Sequence, residues 1–158
     1  MLAMSGARLN HNRIRVNLLV STGSYLKGKD CSVLPGDMRV STLRRDAYMY
    51  PDALIVCGET LLEDDKFDTL LNPSVIFEIW SPSTRSIDKG RKLFFYLGIP
   101  SLQEYITIDS LQKMIQLARK QADGAWKFEN IADGGSSLFI RTIDFHLPIE
   151  EIYADTGL

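Results

Sequence analysis

Two carboxylates stand where a folding chain gains nothing by placing them. Asp52 follows Pro51 and opens the apolar run Ala53-Leu54-Ile55-Val56-Cys57. Glu78 lies inside Ser74-Val75-Ile76-Phe77-Glu78-Ile79-Trp80, among apolar neighbours. Burying an unpaired ionised carboxylate costs several kcal/mol, so something must offset it. The plainer readings are a structural ion pair for Glu78 and Pro-Asp turn chemistry for Asp52. Taken together, the two acids are better explained by a hard divalent cation. Carboxylate oxygens from neighbouring strands are ordinary ligands for Mg²⁺ or Mn²⁺.

A cation source follows closely in the chain. Arg85-Ser86-Ile87-Asp88-Lys89-Gly90-Arg91-Lys92 carries four basic residues and one acid. The spacing predicts a helix over 86–98, closed by Gly98 and Pro100. At about 100° per residue, Ile87, Gly90, Phe94, Leu97 and Gly98 share a stripe suited to the core. Arg85, Lys89, Lys92 and Tyr96 fall on the opposite side, with Lys92 and Tyr96 one turn apart. Because this helix starts just after Glu78, it can return an ammonium to the carboxylates. The plainer reading is a solvated basic face. Two carboxylates, a divalent cation and a lysine suit phosphodiester hydrolysis, since the metal activates water and the lysine offsets phosphate charge. There is no GxSxG motif and no P-loop. His11 falls on the first predicted helix and can face the site. His146, between Phe145 and Leu147, reads as structural.

These residues need a sheet to hold them. A helix is expected over 9–28, with Gly28 as its C-cap. Strands are expected at 31–34, 38–42 and 48–57, the last apolar on both faces, as in the middle of a covered sheet. Residues 58–72 read as an acidic loop with one helical turn at 68–71. Further strands are expected at 74–80, 103–109, 113–119, 126–131 and 137–145, with a turn at Asp123-Gly124. A terminal helical turn over 148–152 starts at Pro148.

Length and charge bound the rest. The chain has 158 residues, 45% of them hydrophobic and 24% charged, with a net charge of -2. That is one globular domain, residues 1–158. The charge is uneven. Residues 1–57 hold eight basic and four acidic side chains, net +4, and residues 85–92 carry net +3. A near-neutral chain can thus present a cationic face to a polyanion, although surface clusters are usually only solvated. No apolar run approaches the ~20 residues of a membrane span. Two cysteines, Cys31 and Cys57, are too few for a disulfide framework. The expectation is a cytoplasmic, soluble protein with no membrane contact.

The ordered series is specific. It runs Pro51-Asp52-Ala53-Leu54-Ile55-Val56, Phe77-Glu78-Ile79-Trp80-Ser81-Pro82-Ser83-Thr84, Asp88-Lys89-Gly90-Arg91-Lys92-Leu93 with Tyr96, and Gly98-Ile99-Pro100 with Glu104-Tyr105 and Ile108-Asp109. It resembles the Uma2 family, grouped with the PD-(D/E)XK nucleases as restriction-type endonucleases. The likeness spans roughly residues 8–155. It implies an α/β fold with a restriction endonuclease-like core, a mixed central sheet flanked by helices, and the first and 86–98 helices on one face. It implies Asp52 and Glu78 as metal ligands for Mg²⁺ or Mn²⁺ and DNA as the substrate. The superfamily's usual lysine position, two residues after the glutamate, is Trp80 here. The family places its lysine on the following helix, which matches Lys92, with Lys89 as the fallback. The likeness implies a further leading segment in family members, with an N-terminal hairpin and an extra acidic residue near the site, and this sequence is expected to start about where that segment ends. The missing strands would leave a sheet edge that a homodimer could cover.

Three readings follow. The first is a Mg²⁺-dependent DNA endonuclease using Asp52, Glu78 and Lys92. The second is a catalytically inactive nuclease-fold protein that binds DNA or another partner. The third is a structural domain whose buried acids are merely ion-paired.

Overall fold

A computed structural model describes residues 8–42, 47–64, 68–81, 86–132 and 137–158, with the backbone alone for 86–88. The expected capping stretch Pro82-Ser83-Thr84, Arg85 and the side chains of Ile87 and Asp88 lie outside the described residues. Helix α1 (Leu9–Leu26) comes first. Gly28, at φ 75°, takes the left-handed conformation that turns the chain away from it. The strands β1 (Cys31–Pro35), β2 (Arg39–Ser41), β3 (Tyr48–Met49), β4 (Ala53–Cys57), β5 (Thr69–Leu70) and β6 (Val75–Trp80) follow. Helix α2 (Ser86–Leu97) leads to β7 (Glu104–Asp109), β8 (Met114–Lys120) and β9 (Trp126–Ala132). The chain closes with β10 (Ser137–Ile140), a 3₁₀ turn (Arg141–Ile143), β11 (Phe145–Pro148) and α3 (Ile149–Ile152).

Six strands form a mixed sheet in the order β1-β4-β6-β7-β8-β9. Within this sheet, among the described residues, β6 and β7 are the one parallel pair, with Glu78 opposite Thr107. A parallel pair needs a crossover, and α2 supplies it. The central strands β4 and β6 are buried on both faces, which is why their sequences are apolar without alternation. The alternate residues then divide between two cores. Ala53, Ile55, Val75, Phe77 and Ile106 pack under Ile14 and Leu18 of α1, together with Leu138, Leu147 and Ile152. Leu54, Val56, Ile76 and Tyr105 pack under Tyr96 of α2, together with Val40 and Leu70.

Four expectations are corrected. The two main helices cover opposite faces of the sheet, not one face. The proposed strand over 48–57 breaks into β3 and β4 because Pro51 cannot donate to a ladder. The helical turn at 68–71 is instead β5, which pairs with β2 in a small sheet ordered β3-β2-β5. The strand over 137–145 is the antiparallel pair β10–β11 around a 3₁₀ turn.

The α2 stripe is also inverted. Tyr96 is fully buried, whereas Phe94 is 85% exposed. The side bearing Lys92 and Tyr96 faces the sheet, where Tyr96 packs into the apolar cluster and both side chains reach the Glu78 carboxylate. The two cysteines sit opposite each other on β1 and β4 and form one disulfide. Disulfides are rare in a reducing cytoplasm, so this pairing lends no support to a cytoplasmic location. Among the described residues no helix is long and apolar enough to cross a membrane.

Candidate active site

The carboxylates meet through strand register. In the β4–β6 pair, Ala53 faces Phe77 and Leu54 faces Ile76. Asp52 lies just before β4 and Glu78 just beyond Phe77, the last paired residue of β6, so the two acids stand at the same end of this strand pair. The turn after β1 supports this point. A Cβ on Gly36 would lie 3.2 Å from the Pro51 carbonyl and 3.3 Å from that of Asp52, so a side chain there would push this backbone back by a few tenths of an ångström.

Asp52 is held from both strand and helix. The Ile79 backbone N–H donates to its Oδ2 at 2.7 Å. His11 Nε2 lies 3.1 Å from Oδ1, and the Arg15 guanidinium donates to the same oxygen. His11 and Arg15 are one helical turn apart, so α1 presents both to one carboxylate. Burial alone would raise the Asp52 pKa. The hydrogen bonds from His11, the Ile79 N–H and Arg15 outweigh it and hold the carboxyl below its ordinary range.

Glu78 behaves in the opposite way. It is 2% exposed. Tyr96 donates its hydroxyl proton to Oε1 at 2.9 Å, and Lys92 Nζ sits 3.4 Å from Oε2. Burial pushes its pKa up. The Lys92 charge opposes this, and the neighbouring Asp52 carboxylate pushes it up further. Two acids that repel in this way are pushed apart in pKa. Burial and then the Glu78 charge also raise Tyr96, so its phenol stays protonated and remains a donor.

The sequence-derived trio is thus brought together: Asp52, Glu78 and Lys92 share one cluster. Lys89 is not part of it; its Nζ stacks over the Trp80 ring at 3.9 Å from the centroid. His11 reaches the site. His146 instead stacks on Phe139 with ring centroids 4.4 Å apart. Arg15 escaped the sequence reading. Its signal was present in the spacing His11, Ile14, Arg15, Leu18, which puts it beside the buried stripe of α1. Glu104 also escaped it. This third buried carboxylate lies on the other face of the sheet and accepts from Arg119 Nε, the Arg141 and Thr142 backbone N–H groups and the Thr142 hydroxyl. Glu104 shows what a structural buried acid looks like, with donors on both oxygens.

Do the residues present fit a divalent cation? Among the described residues no three His, Cys, Asp or Glu side chains gather as a closed metal cage. Mg²⁺ does not need one, since it commonly takes one or two carboxylates and completes its shell with water and phosphate. Each carboxylate already meets a cation, Arg15 at Asp52 and Lys92 at Glu78, so the pair offers hard oxygen donors to a divalent ion in exchange for those contacts.

A mixed sheet with helices on both faces and an acid pair at the end of two central strands is an α/β architecture. It has a counterpart among solved structures. The fold matches the crystal structure of a "putative nuclease belonging to DUF820" from Anabaena variabilis with a TM-score of 0.78, over 97% of this chain and 85% of that one, at 14% identity. The chain belongs to the Uma2 family, described as "Putative restriction endonuclease", whose model matches residues 1–150. Two uncharacterized proteins of Synechocystis sp. are similar to it. One is 32% identical over 78% of this chain and 70% of its own length. The other is 30% identical over 96% and 78% respectively.

Proposed function

We propose that this protein is a metal-dependent DNA endonuclease that hydrolyses phosphodiester bonds at Asp52, Glu78 and Lys92. One observation carries the reading: two buried carboxylates meet at one end of the β4–β6 pair, with a lysine from the crossover helix 3.4 Å from the second. Asp52 and Glu78 would hold Mg²⁺ or Mn²⁺. A cation bound there polarises the scissile phosphate and lowers the pKa of bound water.

The other contributions are the chain's own. Ile79 and His11 fix the Asp52 carboxylate in place. Tyr96 orients Glu78 through its hydroxyl. The Lys92 ammonium lies where charge on phosphate oxygens needs an offset, a role worth about 10²–10³ in rate for a well-placed group. Arg15 adds a second positive group from the opposite helix. The basic first third of the chain would follow the DNA backbone.

The test is cleavage of supercoiled plasmid by purified protein with Mg²⁺ or Mn²⁺. Nicking or linearisation is expected, with loss in Asp52→Ala and in Glu78→Ala. Cleavage that survives both substitutions contradicts the proposal.

A further inference from the structure

The polar character of the site does not stop at Glu78. Register continues it across the sheet: Glu78 faces Thr107, Thr107 faces Gln116, and Gln116 faces Asn130. A row of polar side chains thus crosses β6, β7, β8 and β9 on the face that α2 covers. The row runs from the buried Glu78 and Thr107 out to the exposed Gln116 and Asn130, beside the buried Tyr105 and Ala118 of the same face. Strands lie about 4.8 Å apart, so Gln116 stands two spacings, roughly 10 Å, from Glu78.

A cavity of about 330 Å³ opens over the far end of this row. Its walls include Trp80, Phe128, Gln116 and Asn130, and α2 contributes Gly90. Two features set it apart from an unused crevice. Phe128 holds its ring on the wall while 60% exposed. Gly90 has nothing within 4 Å of where a Cβ would stand, so the helix leaves open space at that point.

We infer that this cavity receives an unpaired nucleobase of the nucleic-acid substrate, whose phosphate lies at the Asp52–Glu78 pair. The chemistry matches on each count. The exposed Phe128 ring can stack on any base and tolerates its sequence. The amides of Gln116 and Asn130 offer donor and acceptor together, which is what a base edge requires. The distance from Glu78 matches the reach of a base from its own phosphate. An intact duplex keeps its bases stacked inside, so entry requires a single-stranded, gapped or extruded nucleotide. This inference rests on the nuclease reading and narrows its substrate.

The test compares two labelled strands of equal length and charge, one of thymidines and one of abasic residues, by fluorescence anisotropy in EDTA. The wild-type protein should bind the base-bearing strand about tenfold more tightly. Two variants close or strip the cavity: Gly90→Leu sends a side chain from a position whose Cβ meets nothing within 4 Å, and Phe128→Ala removes a stacking wall. Thermal melts check that each is folded. In both, the ratio of the two dissociation constants should fall towards one. Equal affinity for the two strands in the wild type, together with metal-dependent plasmid cleavage, overturns the base pocket and leaves the nuclease reading standing. Absence of binding to either strand, with no cleavage, overturns both.

Discussion

Replacing Glu78 by glutamine should make the metal-free protein more stable at alkaline pH and leave it unchanged at acid pH. Glutamine keeps the volume and an acceptor for Tyr96, and it removes the charge. In the fold, the Glu78 pKa is raised from 4.5 to about 7 by burial, against Lys92 and with Asp52. A folded value above the unfolded one means the native state binds the proton more tightly. The associated stability is full below 4.5 and is lost as pH rises through 7. At about 1.4 kcal/mol per pKa unit, the interval corresponds to about 3 kcal/mol. Glu78→Gln does not pay this cost. Urea unfolding in EDTA at pH 5 and pH 8.5 measures it, through the shift in midpoint at constant m. The variant should gain up to about 3 kcal/mol on wild type between those pH values. Adding Mg²⁺ at pH 8.5 should narrow the gap by stabilising wild type alone. Parallel profiles for the two proteins across this range would refute the argument that Glu78 is an under-compensated acid.

Two further predictions concern other residues. Lys92→Met keeps the stem and removes the charge beside Glu78; cleavage should fall about 10²-fold or more. Its pH–rate profile should also move to higher pH, because the Lys92 charge is what lowers the Glu78 pKa; an unmoved profile would separate the lysine from the carboxylate. Reduction of Cys31–Cys57, which are 26 positions apart, should cost about 3.5 kcal/mol on the chain-entropy account. Intact-mass analysis after alkylation without reductant should show no free thiol, and urea unfolding with and without reductant gives the difference.

Much of the site could be read before the fold, for a clear reason. A carboxylate inside an apolar strand violates the burial rule, and the violation is visible in the bare sequence. Asp52 and Glu78 both stood out in this way. Lys92 followed from the short link between strand and helix. What escaped needed tertiary information. The α2 stripe was inverted because apolar periodicity assumes a greasy target, and here the helix packs a lysine and a tyrosine onto an acid. Arg15 went unseen because its partner lies 37 positions away. Glu104 passed as an ordinary strand residue, since its donors come from β8 and the 3₁₀ turn. The row Thr107, Gln116, Asn130 exists only once three strands are in register. The helix faces were misjudged for a related reason: strand order, not chain order, decides which side a helix covers.

The account turns on whether the Asp52–Glu78 pair binds a divalent cation or is simply an ion-paired cluster. Calorimetric titration of the wild-type protein with Mn²⁺ at pH 8, repeated on Glu78→Gln, decides between them. The account predicts saturable binding in wild type that is lost in the variant. No binding in wild type, or equal binding in both proteins, would contradict it.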